Sequence, residues 1–254
     1  VSVRLDGAAL AQYLSVGYVC APNSIFAGIH KLEPGTALVV ERGEVTRRRY
    51  HRLPPAIDAS RSEEQWIEAV RAELERSVRD QMVSDVPIGA FLSGGIDSSA
   101  VVAFMSRHSS HPVKTYSIGF QGSSGAQLYN ELPYARQVAE LFKTDHHEII
   151  VQPDVATLLP ELLWHMDEPI ADAAFITTYL VSKFARQDVT VILSGVGGDE
   201  LFGGYKRYQD EHYRALYHRV PGVLRTGLVA PVAKLLPSDR HHRLLNKLRL
   251  AKAF

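Results

Sequence analysis

Two rhythms of apolar positions run along this chain. After Ser62 and Glu64, the residues Trp66, Ile67, Val70, Leu74 and Val78 recur at helical spacing and predict an amphipathic helix to about Met82. Short apolar runs then alternate with helical patterns. Val86–Leu92 predicts a strand, Ser98–Arg107 a helix and Val113–Phe120 a strand. Leu132–Phe142 predicts a helix with Tyr134, Val138 and Leu141 on one face. His147–Val151 reads as a strand, Val155–His165 and Ala174–Ala185 as helices, and Val189–Leu193 as a short buried strand, with a helix starting near Asp199. Strands alternating with helices imply a parallel sheet covered on both faces, so the expected fold class is α/β. No internal repeat is evident. Gln121–Asn130 reads as a mobile surface loop, and Leu224–Leu250 as partly helical with breaks at Pro231 and Pro237.

The first fifty residues have a different pattern. Leu10–Tyr18 predicts a short helix, and Ile25–Ile29, Ala37–Val40 and Val45–Tyr50 predict short strands. Pro34–Gly35 and Arg42–Gly43 supply turns, and Leu53–Pro54–Pro55 breaks the chain ahead of a linker at Asp58–Ser62. A small β-rich piece over residues 1–57 and an α/β domain over 58–254 are expected. The chain starts at Val1 without a methionine and stops at Phe254, which reads as a piece excised from a longer protein, truncated within its second domain.

Composition narrows the functional classes. The 254 residues carry 28 Lys+Arg and 28 Asp+Glu, so there is no broad field to attract nucleic acid or an anionic membrane. No apolar run approaches the ~20 residues that span a bilayer, and the N-terminus lacks the regions of a signal peptide. A single cysteine, Cys20, excludes an intrachain disulfide framework and a Cys-rich zinc site, and a reducing cytoplasmic setting follows. Cys20 stands among apolar residues and reads as inert packing.

The chemistry is concentrated in two glycine-bordered strand ends. In Phe91-Leu92-Ser93-Gly94-Gly95-Ile96-Asp97-Ser98-Ser99, an apolar run stops at Ser-Gly-Gly and a helix follows. Glycines let backbone N–H groups approach a phosphate, and the helix start adds unpaired N–H groups and partial positive charge. Ser93, Ser98 and Ser99 bring hydroxyl donors. Asp97 would repel phosphate unless it holds a Mg²⁺ ion that neutralises the leaving phosphates. The plain alternative is an Asp/Ser-capped helix start worth about 1 kcal/mol, which does not account for the whole string at a strand's carboxyl end. No Gly-Lys-Ser/Thr follows, so this is not a Walker loop. The second segment runs from Leu193-Ser194-Gly195-Val196-Gly197-Gly198-Asp199 to Glu200-Leu201-Phe202-Gly203-Gly204-Tyr205. In a parallel sheet both loops fall on the edge where ligands bind, which would set Asp97 and Asp199 on either side of one metal.

Ser93–Ser99 resembles the pyrophosphate loop of the ATP pyrophosphatase superfamily. With Ser194–Tyr205 it resembles the synthetase domain of glutamine-dependent asparagine synthetases. Thr115–Phe120, Glu131–Ala135 with Asp145–Glu148, and Asp167–Asp172 resemble further segments of that domain, and residues 1–55 are similar to the tail of its N-terminal glutaminase domain. The resemblance implies a helix-flanked, adenine nucleotide alpha hydrolase-like fold using ATP and Mg²⁺. A carboxylate attacks the α-phosphate of ATP to give an acyl-adenylate and pyrophosphate, and ammonia then displaces AMP. It implies that Ser93, Gly95, Asp97, Ser98 and Ser99 bind pyrophosphate and Mg²⁺, that Gly94 and Ser194 belong to the cofactor-binding set, that Asp97 and Asp199 hold the metal, and that Leu92, Ile118 and Gly195 touch the adenosine. Tyr205 and Asp167 are acceptor-side candidates, and Asp97, Asp199 and Tyr205 make up the catalytic set. The partners implied are a small carboxylate, ammonia and the absent glutaminase domain; a homodimer is left open.

Two departures bear on that reading. Many members carry an acid where this chain has Val196, which cannot handle a proton; this weakens aspartate as the acceptor. The family's glutaminase nucleophile is an N-terminal cysteine and its later catalytic lysine would fall beyond Phe254, so this piece is expected not to hydrolyse glutamine and its synthetase half is incomplete. A ligase for another carboxylate, a tRNA-modifying enzyme and a non-catalytic nucleotide-binding module are the rival readings, the tRNA enzyme disfavoured by the absence of basic excess or catalytic cysteines. His146–His147 and His241–His242 read as surface residues, Arg47–Arg49 as a solvated strand face, and the tyrosines 205, 208, 213 and 217 as packing.

Overall fold

A computed structural model of the chain describes residues 3–53, 57–121, 130–152, 154–219 and 221–222. The expected loop at 121–130 falls largely outside the described residues, and the stretch 224–250 and His241–His242 fall wholly outside them. The chain forms two compact units, Val1–Ser194 and Gly195–Phe254.

The first unit opens with helix α1 (Gly7–Val16), whose first turn is closed by Asp6 accepting from the Ala8 and Ala9 N–H groups at 2.9 Å. Ala9, Val19 and Ile25 form a small core beneath it, with Tyr13 and Phe26 against them. Ile25–Ile29 is not a strand; only isolated bridges, Leu5 with Phe26 and Asn23 with His30, tie this stretch down. Strands β1 (Thr36–Glu41) and β2 (Glu44–Arg49) pair antiparallel. Their two-residue turn needs left-handed backbone at both positions, and Arg42 and Gly43 adopt it at φ 52° and 88°. Arg47–Arg49 are exposed, as expected of a solvated face. Cys20 is exposed rather than packed, while its neighbour Val19 enters the small core with Ala9 and Ile25.

Helix α2 (Glu63–Gln81) starts at a reciprocal cap. Ser62 Oγ accepts from the Gln65 N–H at 3.3 Å, and Gln65 Oε1 accepts from the Ser62 N–H at 2.9 Å. Its expected apolar face is only half used. Leu74, Val78 and Met82 join the core, whereas Ile67 is 61% exposed and Trp66 and Val70 each 38%.

The main sheet has four parallel strands in the order β5-β4-β3-β6: β3 (Ile88–Phe91), β4 (Lys114–Phe120), β5 (Asp145–Val151) and β6 (Val191–Leu193). Helices α3 (Ile96–His108) and α4 (Leu132–Phe142) join α2 on one face, with Ala90, Leu92, Val101, Val102, Met105, Ala135 and Ala139 at the centre. On the other face, α6 (Ala174–Ala185) covers Tyr116 with Val181, Phe184 and Ala185, and α5 (Val155–His165) packs on α6. Side chains alternate between the two faces: Ala90 enters one core and Phe91 the other, as the pleat requires. In α4 the buried face is Leu132, Ala135 and Ala139; of the expected stripe only Val138 packs against the core, while Tyr134 and Leu141 stand out at 61% and 71% exposure. Small alanines allow α4 to approach the sheet closely.

His146 and His147 are not surface residues. His146 keeps only 12% of its side chain exposed, because it points from β5 toward α4, and His147 is half-buried, stacked on Tyr116 with ring centroids 5.3 Å apart. Thr115 Oγ1 lies 2.8 Å from both Thr144 Oγ1 and His146 Nδ1. The Glu148 carboxylate then joins His146 to α4: Oε1 lies 3.2 Å from His146 Nε2 and accepts from the Arg136 guanidinium at 2.8 Å, and Oε2 accepts from it at 2.6 Å. Burial holds His146 below its ordinary value despite Glu148, and the Arg136 hydrogen bonds hold the Glu148 carboxyl below the usual range. Among the described residues no helix is long and apolar enough to cross a membrane.

Both depressed values act in the same direction. The folded state disfavours a proton at each site, so the stability they contribute is full at neutral pH. It is lost first as pH falls below the ordinary histidine value of 6.5, and further as it falls below the ordinary glutamate value of 4.5 through the depressed one. Unfolding midpoints measured from pH 7.5 to pH 3.5 are expected to fall less steeply below pH 4.5 in Glu148→Gln than in the parent chain. Parallel slopes would show that this network does not set the acid response.

Candidate functional site

The sheet reverses its direction of winding between β3 and β6. The chain steps outward from β3 to β4 to β5 and returns on the far side of β3. In an open parallel sheet the crevice at such a reversal, beyond the carboxyl ends, is where ligands bind. Both glycine-bordered segments leave from these two strands. Ala90 pairs with Leu193, so the loop after β3 and Ser194 after β6 set out from the same edge.

The loop from Ser93 to Ser99 is braced by its own hydroxyls. Ser98 Oγ, in a buried residue, accepts from the Ser93 N–H at 3.2 Å, bonds to the Gly95 carbonyl at 3.2 Å and lies 2.9 Å from Ser93 Oγ. Ser93 Oγ also accepts from the Gly95 N–H at 3.2 Å. Upstream, the Leu92 N–H donates to the Tyr116 carbonyl at 3.0 Å, and the Leu92 carbonyl accepts from the buried Ser117 hydroxyl. The side chains of Leu92 and Ile118 pack into the cores on opposite faces of the sheet, so a ligand would meet chiefly their backbone. Sequence reasoning passed over Ser117, although its place opposite Tyr116 and Ile118 in the alternation of β4 puts it on the face beside β3.

Gly94 takes φ 80°, and a Cβ there would lie 2.5 Å from the Tyr134 carbonyl carbon and Cβ. The first turn of α4 therefore presses directly on the loop. Gly95 caps α3 without any side-chain bond. The first-turn N–H groups of this 13-residue helix thus have neither intrahelical acceptors nor a capping side chain. Ser99 Oγ is buried with no hydrogen-bond partner, and Asp97 sits half-buried in the same turn.

In the second unit, helix α7 (Gly198–Phe202) follows Gly197 at φ 100° and ends at Gly203 at φ 68°. Asp199 folds its carboxylate over Gly204, where any Cβ would overlap Asp199 Oδ1, so glycine at 204 is what lets Asp199 take this position. Tyr205 opens the approach to α8 (Lys206–His218) and donates its hydroxyl to Glu200 Oε1 at 2.6 Å. Val196 is 92% exposed. Tyr205 and Tyr208 meet edge to face at 5.8 Å, as packing tyrosines would, while Tyr208 remains 48% exposed.

The donor set fits a magnesium ion carried by phosphates. Among the described residues there is no group of three His, Cys, Asp or Glu side chains that would cage a metal. Mg²⁺ characteristically takes one or two carboxylates and completes its shell with phosphate oxygens and water. A single aspartate beside an uncapped helix start and a glycine cradle suits that mode, and the unpartnered Ser99 hydroxyl adds a polar group in the same turn.

Comparison with known proteins agrees with this geometry. The family model for asparagine synthase matches residues 69–254. Asparagine synthetase [glutamine-hydrolyzing] 1 of Bacillus subtilis is 35% identical over 250 residues, covering 96% of this chain and 38% of that protein. Asparagine synthetase [glutamine-hydrolyzing] 3 of the same organism is 31% identical over 218 residues, covering 81% of this chain and 35% of the relative. The chain therefore spans little more than a third of the length of these relatives.

Gly94→Ala combines a left-handed backbone with a clash against α4, and is expected to cost about 2 kcal/mol or more. That corresponds to a drop of roughly 4–8 °C in unfolding midpoint for a chain of this size. Gly197→Ala, where a Cβ meets nothing within 4 Å, should cost less. Equal midpoints for the two variants would remove the argument that α4 dictates glycine at 94.

Proposed function

The chain belongs to the asparagine synthase family, and we propose that it carries out ATP-dependent, AMP-forming amide synthesis. The observation that carries this reading is the braced Ser93–Ser99 loop with its uncapped helix start, set where the sheet reverses its winding. A carboxylate oxygen of the acceptor attacks the α-phosphorus of ATP, the bond to the bridging oxygen breaks, and pyrophosphate leaves. Ammonia then attacks the acyl carbon, AMP departs, and one proton is released with the amide.

The work of the protein in this scheme is electrostatic and positional. The N–H groups at the start of α3, the backbone of Gly94 and Gly95, and the hydroxyls of Ser93, Ser98 and Ser99 receive the pyrophosphate, joined by Ser194. Asp97 and Asp199 are the proposed Mg²⁺ ligands, and the metal would offset charge on the leaving group. Leu92, Ile118 and Gly195 receive the adenosine through backbone and apolar contacts. Tyr205 and Asp167 stand on the acceptor side. Aspartate is the leading acceptor, and the exposed Val196, which has no proton to exchange, favours testing other carboxylates beside it. Ammonia would come from a glutaminase domain of the longer protein, of which residues 1–57 are the proposed tail, in a cytoplasmic enzyme. Neither nucleic acid nor a membrane enters this reading.

Pyrophosphate release with Mg-ATP, ammonia and a panel of carboxylates is the direct test. Release that depends on one acid supports the reading and names the acceptor; ATP binding without release under any acid would favour a nucleotide-binding module. Asp97→Asn and Asp199→Asn should each lower release on the order of 100-fold while the unfolding midpoint stays within a few degrees of the parent. A variant that retains full turnover takes its residue out of the metal site.

A further inference from the structure

The acidic segment Asp167–Asp172 is carried to the ligand-binding edge of the sheet by α6. The C-terminal end of α6 lies at the opposite edge. There the Val189 N–H returns to the Ala185 carbonyl at 3.0 Å, and the Thr190 N–H bonds to the Pro87 carbonyl, just ahead of β3, at 2.9 Å. Since α6 packs along β4, its first residue, Ala174, lies toward the carboxyl ends of the strands. Asp172 Oδ1 accepts from the Ala174 N–H at 2.9 Å and ties the segment to the start of that helix.

Among the described residues, the bonds that reach this segment from afar come from the N-terminal residues. Glu168 uses both carboxylate oxygens. Oε1 accepts from the Ile25 N–H at 2.8 Å, and Oε2 pairs with the Lys31 ammonium, which also donates to the Val19 carbonyl at 2.7 Å. The Ala171 N–H donates to the Gly17 carbonyl at 2.8 Å, and Gly17, at φ 87°, has its open side 3.3 Å from Ala171 Cβ. The Glu168 side chain is only 16% exposed, so these charge-assisted bonds are largely sheltered from water. Asp167 stands at φ 56°, a conformation that a residue with a side chain keeps only when its surroundings hold it. The phosphate-binding loop takes its shape from separate bonds, those of Ser93, Ser98 and Ser117.

We propose that Lys31 and Glu168 form a clasp by which the N-terminal module sets the position of Asp167–Asp172 at the ligand edge. They act as positioning residues for the acceptor and leave the nucleotide loop untouched. The structural half of this inference stands on the contacts alone; the kinetic half rests on the amide-synthetase reading.

Hydrogen exchange on the whole chain tests the clasp without any substrate. In Glu168→Ala and Lys31→Met, the Ala171 amide and its neighbours in 167–172 should exchange on the order of tenfold faster, the equivalent of one lost hydrogen bond of about 1.4 kcal/mol. The amides of β3 and α3 should be unchanged. Glu168→Gln, which keeps an acceptor for Ile25, should fall between. Acceleration at Ile25 alone, or a uniform rise that includes β3, would overturn the clasp. In the same variants the KM for the carboxylate that supports pyrophosphate release should rise about tenfold with the KM for ATP unchanged; equal rises would overturn the positioning role. If the parent chain releases no pyrophosphate with any carboxylate, the synthetase reading falls, while the exchange result still decides the clasp.

Discussion

Four strands running the same way leave all their carboxyl ends along one edge, and the rest of this molecule depends on that constraint. A parallel sheet cannot join its strands with tight turns; each connection must cross a face, and here helices make the crossings. The order β5-β4-β3-β6 then forces one change of direction, between β3 and β6. The loop after β3 and the segment that begins at Ser194 emerge there because no other exit from those strands exists.

The loop after β3 shows how such a strand end becomes chemically specific. Its glycines alone would make it flexible. Ser93 and Ser98 lock it by bonding to each other and to the backbone, Ser117 fixes the carbonyl just before it, and the first turn of α4 presses on Gly94. The result is a rigid backbone that still presents uncapped N–H groups at the start of α3. A cradle fixed in this way loses little entropy when it receives an anion, the condition under which preorganised dipoles are most effective. The family to which the chain belongs is consistent with such a use.

The N-terminal residues bear on the same edge through a different route. Their own core is small, three buried side chains with two partners, and the hairpin β1–β2 is largely exposed. They are nonetheless joined by Glu168 and Ala171 to a segment at the business end of the sheet.

Much of this architecture was legible from the residues in order. The alternation of strands and helices and the serine-glycine turn after β3 follow from spacing that a reader of the sequence can count, because helices and turns are set by bonds between near neighbours; the parallel sheet followed only through the rule that such alternation implies it. The capping box of α2 and the turn at Arg42–Gly43 are of the same kind. Where the reading failed, a distant partner had decided the matter. Trp66 and Ile67 have helical spacing but keep much of their surface exposed; His146 looked polar and exposed until Thr115 and Glu148 closed around it; Ile25–Ile29 had strand composition but, among the described residues, only isolated bridges to hold it. Ile25 and Glu168 lie 143 residues apart, and nothing in either neighbourhood announces the other. Local sequence fixes which elements form, because hydrogen bonds within a helix or a turn close over a few residues; which charged and polar groups meet depends on how the crossings stack those elements, and only the folded chain brings them together.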